Sequence, residues 1–272
     1  ALEGLLKADP SGAYVPGLAA EVPTVENGGI SADGLTITYK LKPGLTWSDG
    51  DPVTSADVKF TWDLIMDPAS KVNSQTGYKN IESIETPDDT TVVVKFKELY
   101  AAALSLFSIQ GAVLPAHVLQ GKPLDGAEFN RVPEGTGPFM VTEWKSADSI
   151  IADRNPNYRD AGKPGLDRIV FKIIPSNEVG SAQIRSGEID VLWNLTEAQI
   201  PEFEAIPDIA LQVTPSSNIE YLGLNLSMRG MADPSMPHPI LGDRAVREAL
   251  ASAIDRTPII DDLLNGKSEV AT

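Results

Sequence analysis

Alternation of apolar and polar residues predicts several short strands in the first hundred positions. Residues 36–41 alternate with a period of two, as a half-buried strand does. Residues 81–85 and 91–96 have the same pattern and are separated by a polar turn, so we expect them to pair as a hairpin. Short helices are predicted over 2–6 and over 101–109.

The clearest helix signal begins at Thr54. Thr54 can cap a helix and Asp57 can reach back to it, which is a capping-box pattern with the shorter acid. One apolar face follows at helical spacing, formed by Val58, Trp62 and Ile65. The polar stretch 71–78 after this helix is predicted to be a loop.

From Gly135 onward, predicted strands and helices alternate. A helix over 176–186 begins at Ser176, a preferred capping residue. The order indicates an α/β fold with mixed sheets in roughly two parts. The predicted strands are 139–144 paired with 150–154, then 168–174, 189–192, 210–214 and 219–225; the further helices are 196–204, 243–254 and 258–264.

Composition and charge narrow the function classes. The 272 residues contain 22 Lys and Arg against 38 Asp and Glu, a net charge of −16. A nucleic-acid binder needs a basic surface, so no nucleic-acid partner is expected. An anionic bilayer repels an acidic chain, so no adhesion to such a bilayer is expected. No apolar run reaches the length of a membrane span, and no direct membrane insertion is expected. The sequence has no cysteine, which removes disulfides and thiolate chemistry.

The sequence carries no motif for catalysis or metal binding. Hydrolase, nucleotide-binding and zinc-protease signatures are all missing. The two histidines, His117 and His238, are far apart and lack an acidic spacing motif, so no metal site is predicted. His117 is expected at the surface or at the start of a short helical turn. A glycoside or peptide hydrolase stays open as an alternative because carboxylates are plentiful, but no pair is singled out.

Four stretches together carry a resemblance to one family. None is specific alone, but their order and separations cover nearly the whole chain. The chain resembles the peptide, dipeptide and nickel-binding class of solute-binding proteins of ABC importers (bacterial family 5). The stretches are Glu3–Leu6 with Pro16–Ala19; Asp33–Gly44 with Trp47–Thr54; Gly135–Phe139 with Arg154–Pro156; and Ser186–Asp190 with Ala253–Arg256.

The resemblance implies a periplasmic-binding-protein-like type II lobe with mixed β-sheets and an inserted α+β subdomain. Residues 1–20 and 131–232 would form the first lobe, and 21–130 the inserted subdomain. Residues 233–272 would hold the hinge crossing and the first helices of a second lobe that is mostly missing. Because family members are about twice as long, we expect the chain to be a truncated fragment that binds ligand weakly or not at all.

The implied function is capture of di- or oligopeptides for import by the transmembrane permease subunits of an ABC transporter. No enzyme activity and no cofactor are implied. Oligosaccharide or nickel-chelate binding is the alternative within the family. A binding or scaffold module without a transport role is an alternative of another class. The parent protein is expected in the periplasm or outside the cell, free or lipid-anchored.

Candidate ligand contacts come from where the resemblance places the cleft. The loop 71–78 would border it, 135–137 would approach the hinge, and 218–221 would precede the crossing segment. At 135–137, the Thr136 hydroxyl and exposed backbone can bind a ligand carboxylate or amide. The candidate residues are Asn73, Ser74, Gln75, Tyr78, Thr136, Gly137, Asn218 and Tyr221.

Overall fold

The computed structural model describes residues 1–109, 111–122, 128–214, 219–227 and 235–270. The chain forms two compact units, Ala1–Ile173 and Ile174–Thr272. Strands dominate the described part of the first unit, and helices that of the second. The strands are β1 Leu6–Ala8, β2 Tyr14–Pro16, β3 Thr36–Lys40, β4 Ile81–Asp88, β5 Thr91–Phe96, β6 Phe139–Lys145, β7 Ser149–Arg154 and β8 Arg168–Lys172; the α-helices are α1 Ser55–Met66, α2 Ala116–Leu119, α3 Asn177–Ser186, α4 Ile200–Glu204 and α5 Arg244–Ala253.

Three antiparallel sheets make up the described strands of the first unit. β1 pairs with β2, β3 and β4 flank β5, and β6, β7 and β8 follow in order. In the second sheet Thr38 lies opposite Val93 and Ile84 opposite Val94. The predicted strands 36–41, 81–85 and 91–96 and the pairing of 139–144 with 150–154 are confirmed.

The core of the first unit is built on the sheet of β3, β4 and β5. Its side chains meet residues from α1 and from the loops around Trp47 and Phe107, both of which are nearly fully buried. Val58 on α1 is buried, while Trp62 and Ile65 on the predicted apolar face are partly buried and pack against this core.

Two predicted helices of the first unit are wrong. Residues 2–6 are extended, because the Leu5 N–H donates to the Phe107 carbonyl and the Leu5 carbonyl accepts from Gly17 and Ala19. Residues 101–109 contain only a 3₁₀ turn over Ala103–Ser105. Hydrogen bonds to distant segments thus replace the local helical bonds in both places.

In the second unit the predicted helices are largely confirmed. α3 is capped by the Ser176 hydroxyl, which accepts from the Val179 N–H, and α5 by Asp243, which accepts from the Ala245 N–H. Residues 196–204 divide into a 3₁₀ turn and α4, and Ile259–Leu263 form a π-helical turn. The predicted strands 189–192, 210–214 and 219–225 are not strands among the described residues.

Candidate functional site

Three of the four stretches that carried the resemblance converge in the first unit. The Ser48 hydroxyl donates to the Glu134 carboxylate and accepts from the Gly135 N–H at 3.0 Å. The Asn157 amide donates to the Ser48 carbonyl at 3.0 Å. Asn155, 2% exposed, donates to the Gly137 carbonyl at 2.9 Å. Ser48 is therefore joined to residues more than eighty positions away by buried or partly buried hydrogen bonds.

A buried carboxylate lies at the centre of this network. The Glu3 side chain accepts from the Thr136 hydroxyl at 3.0 Å and from both terminal nitrogens of Arg159. Lys7 completes the set of cations around it. Burial alone would raise the pKa of Glu3, but the hydrogen bonds from Arg159 and Lys7 outweigh it and leave the pKa below its ordinary value.

Thr136 and Gly137, both predicted ligand contacts, lie inside this network. Thr136 is 3% exposed, and its hydroxyl is engaged by Glu3. The Gly137 N–H donates to the Ala1 carbonyl at 2.8 Å. Gly137 also lines an open depression of about 380 Å³, together with Ala1, Glu3, Ser108 and Pro138. Contact of either residue with a ligand stays a prediction.

The predicted contacts in 71–78 differ in what their side chains can offer. Asn73 and Ser74 are exposed, whereas the Gln75 amide donates to the Ile65 carbonyl at 2.8 Å. Tyr78 is buried, stacks edge-on against Phe107 at 5.2 Å and accepts from the Phe107 N–H. Burial raises the pKa of Tyr78, although that N–H opposes the shift. Of the four predicted contacts in this stretch, Asn73 and Ser74 are the exposed ones, and their contact with a ligand stays a prediction.

The remaining two predicted contacts lie in the second unit. Tyr221 is 85% exposed, so most of its surface faces solvent. Asn218 lies outside the described residues. The neighbouring described residues Ile219 and Leu222 are also exposed, which gives this segment an apolar surface.

One group of side chains was missed from the sequence. The ligand atoms of Asp49, Asp51 and His117 all lie within 4.8 Å of one another. The spacing gave no signal, because Asp49 and His117 are 68 residues apart. His117 lies at the surface in the first turn of a short helix, close to what was predicted, and it also faces two carboxylates.

No helix among the described residues combines the length and the apolar character that a bilayer crossing requires. The chain matches the family described as bacterial extracellular solute-binding proteins, family 5 (middle part), over residues 13–272. The chain therefore belongs to the family 5 extracellular solute-binding proteins, which are binding proteins and not enzymes.

Individual relatives agree with this assignment. The oligopeptide-binding protein AppA of Bacillus subtilis is 30% identical over 246 residues, covering 88% of this chain and 42% of AppA. The glutathione-binding protein GsiB of Escherichia coli K12 is 28% identical over 243 residues, covering 89% of this chain and 45% of GsiB. The chain thus spans less than half the length of these curated relatives.

Solved structures show the same relationship. NikZ from Campylobacter jejuni in complex with Ni(L-His) has a TM-score of 0.84 at 27% identity, covering 99% of this chain and 51% of NikZ. AppA from Bacillus subtilis in complex with a nonapeptide has a TM-score of 0.78 at 27% identity, with the same coverage of 99% and 51%. The periplasmic-binding-protein type II fold expected from the sequence is confirmed.

Proposed function

We propose that the protein containing this chain captures di- or oligopeptides outside the cytoplasmic membrane and delivers them to the transmembrane subunits of an ABC importer. One observation carries the proposal: 99% of the chain matches the structure of AppA solved with a nonapeptide, at a TM-score of 0.78. AppA also matches 88% of the chain in sequence. We place the protein in the periplasm or at the cell surface, as the family description suggests.

We further propose the domain division expected from the sequence. Residues 1–20 and 131–232 belong to one lobe, 21–130 to an inserted subdomain, and 233–272 to the hinge and the start of a second lobe. Binding proteins of this kind hold a ligand by closing two lobes over it. Affinity in the whole protein then depends on contacts that this chain supplies only in part.

Two exposed places on the chain are the proposed ligand contacts. Asn73 and Ser74 offer an amide and a hydroxyl, groups that pair with peptide N–H and C=O. Tyr221 offers an exposed ring and a hydroxyl, which suits a peptide side chain or backbone. Thr136 and Tyr78 are buried, so their side chains stabilise the fold around the contacts. Gly137 can offer its backbone at the open depression that it lines.

A second candidate ligand is a nickel–amino acid chelate. The likeness to NikZ with Ni(L-His) has a TM-score of 0.84. Peptides and metal chelates of amino acids share carboxylate and amine groups, so one framework can serve either.

Calorimetry on the full-length protein tests these assignments. It is titrated with di- to nonapeptides, glutathione and nickel–histidine, and the 272-residue chain is run alongside. We expect the full-length protein to bind peptides. Tyr221→Ala should weaken this binding at least about tenfold, since the loss of one contact worth about 1.4 kcal/mol has that effect.

The exposed tryptophan variant Trp193→Ala serves as the matched control for loss of an aromatic side chain. If the full-length protein binds the nickel chelate and no peptide, the chelate becomes the proposed ligand. Binding of neither class, or equal affinity of the 272-residue chain and the full-length protein, would overturn the proposed capture mechanism.

A further inference from the structure

A tight turn and the start of a short helix bring three metal-binding side chains together on the first unit. The turn holds Asp49 and Asp51, and the helix α2 holds His117. The His117 Nε2 lies 2.8 Å from Asp49 Oδ2 and 3.6 Å from Asp51 Oδ2. We propose that Asp49, Asp51 and His117 bind a divalent transition-metal ion such as Zn²⁺, with water completing the coordination. This site is independent of the ligand proposed above.

The two separations from His117 are close to those around such an ion, and the ligand atoms of all three residues lie within 4.8 Å of one another. Around tetrahedral zinc, with bonds of about 2.1 Å, ligand atoms lie about 3.4 Å apart. The distance from His117 to Asp51 is already 3.6 Å. The 2.8 Å contact to Asp49 is a hydrogen bond, and replacing its proton by a metal needs a shift of about 0.6 Å, within reach of small side-chain rotations.

The turn is held in place before any ion arrives. The Trp47 N–H donates to the Asp51 carbonyl at 2.8 Å, and the Gly50 N–H donates to the Trp47 carbonyl at 3.0 Å. Gly50 has φ 98°, a conformation that glycine adopts without strain. The Asp51 N–H also donates to Asp49 Oδ1, which leaves Asp49 Oδ2 facing His117.

The histidine is positioned just as firmly. The Ala116 N–H donates to the buried Asp57 carboxylate at 2.9 Å, and Leu119 at the end of α2 is 1% exposed. The His117 ring lies 6.2 Å from the ring of Trp47, which is completely buried. These contacts fix the short helix that carries His117, and preorganisation of this kind favours binding.

Charge and access also fit a metal. Two carboxylates and one imidazole nitrogen are ligand types that zinc binds. The side chains of His117, Asp49 and Asp51 are 29%, 34% and 61% exposed, which leaves room for an ion and its waters. Imidazole nitrogen suits zinc, nickel and copper, whereas calcium takes six to eight oxygens.

Titration of the untagged 272-residue chain with ZnCl₂ in chelator-free buffer tests the site. We expect one equivalent of Zn²⁺ to bind by calorimetry, and Ca²⁺ and Mg²⁺ not to compete. His117→Ala and Asp51→Asn should each weaken binding by about tenfold or more, the effect seen even for indirect ligand supports. Asp89→Asn, at another exposed acidic position, should bind Zn²⁺ like the parent chain.

A spectroscopic readout separates binding at this site from binding elsewhere. The chain has two histidines, so NMR signals of the His117 and His238 rings can be told apart in His117→Ala. Zn²⁺ should shift the His117 ring and leave His238 unchanged. Three results would overturn the proposal and leave an ion pair only: no binding of Zn²⁺, a shift of His238 alone, or an affinity in His117→Ala and Asp51→Asn equal to that of the parent chain, with unchanged circular dichroism.

Discussion

Glu3 ties three distant segments together through one side chain. Its carboxylate, 5% exposed, accepts from Thr136 and Arg159, which lie 133 and 156 residues further along the chain. Breaking a buried ion pair leaves the remaining charge without its partner, which costs more than an exposed pair gains. Glu3 and Thr136, which lie in two of the stretches that carried the resemblance, therefore stabilise the fold.

Replacing Glu3 by Gln should destabilise the chain by about 1–3 kcal/mol at pH 7, because Arg159 is left without its charge partner. The pKa of Glu3 is lowered by folding, so its stabilising contribution is present above the unfolded value of about 4.3 and is lost as pH falls through the folded value. Urea unfolding at pH 7 and pH 3 should therefore show the difference between wild type and Glu3→Gln shrinking in acid.

The exposed pair of Asp153 with Arg168 is the matched control, since Asp153→Asn removes a carboxylate that also accepts from an arginine. Its variant should show a much smaller shift of the midpoint in urea. Equal losses in Glu3→Gln and Asp153→Asn would contradict a special role for burial of Glu3.

Gly4 gives a second test at a single position. A Cβ added there would lie 2.5 Å from the Phe107 carbonyl oxygen and 2.7 Å from the Ser108 Cα, both backbone atoms. Gly4→Ala should cost about 1–3 kcal/mol, the usual effect of overpacking. Gly165→Ala meets nothing within 4 Å and should be neutral or stabilising by up to about 1 kcal/mol. Thermal unfolding of both variants measures this, and equal midpoints would refute the close-packing argument.

The elements show what pattern and capping rules capture and what they miss. The helix start at Thr54 was predicted, and the Asp57 carboxylate indeed accepts from the Thr54 N–H at 2.8 Å. Residues 101–109 were predicted helical, yet Phe107 has φ 53° and donates its N–H to Tyr78, 29 residues away. Local periodicity reports local bonds, so a segment whose partners lie far along the chain is misread.

The predicted strands of the second unit failed for a related reason. An extended segment becomes a strand only when another strand completes its hydrogen bonds. Residues 189–192 and 219–225 have strand-like patterns but form no ladder among the described residues. The cluster of Asp49, Asp51 and His117 was missed similarly, since three-dimensional proximity left no spacing signal. Thr136 and Gly137 were singled out, but their burial could not be foreseen from the motif.

Asp57 provides a test at the level of the helix. Besides the Thr54 N–H, it accepts from the Ala116 N–H at 2.9 Å, so it joins the start of α1 to the start of α2. Asp57→Ala should cost about 2–4 kcal/mol, because two largely buried donors lose their acceptor. Asp63→Ala, on the exposed face of the same helix, should stay within about 0.5 kcal/mol. Urea unfolding distinguishes the two, and similar losses would contradict the double role.

The whole molecule divides into units with very different cores. The first unit has a cluster of buried side chains from Leu5 to Val113. Among the described residues of the second unit, Ile200 and Phe203 are the buried large apolar side chains. Several of its apolar side chains are instead largely exposed, namely Val191, Trp193, Tyr221 and Leu222.

Hydrogen exchange should reveal this difference. Amides of β3 and β5 should open only with the full unfolding free energy of the first unit, whereas amides of α3 and α5 should exchange at lower free energy. The same chain should bind the dye ANS, because exposed apolar surface attracts it. Mass spectrometry of deuterium uptake in peptides from each unit measures the first effect. Equal opening free energies in both units would contradict the expected division.

The bond between Glu3 and Arg159 also bears on how the chain is made. A ribosome releases the first residues long before residue 159, so Glu3 stays without Arg159 while more than half of the first unit is synthesised. Contacts between such distant positions slow folding, because the intervening loop must close first. The newly made N-terminal segment therefore lacks one of its buried ion pairs until residue 159 has been synthesised. Such a delay keeps the polypeptide open for any machinery that handles unfolded chains.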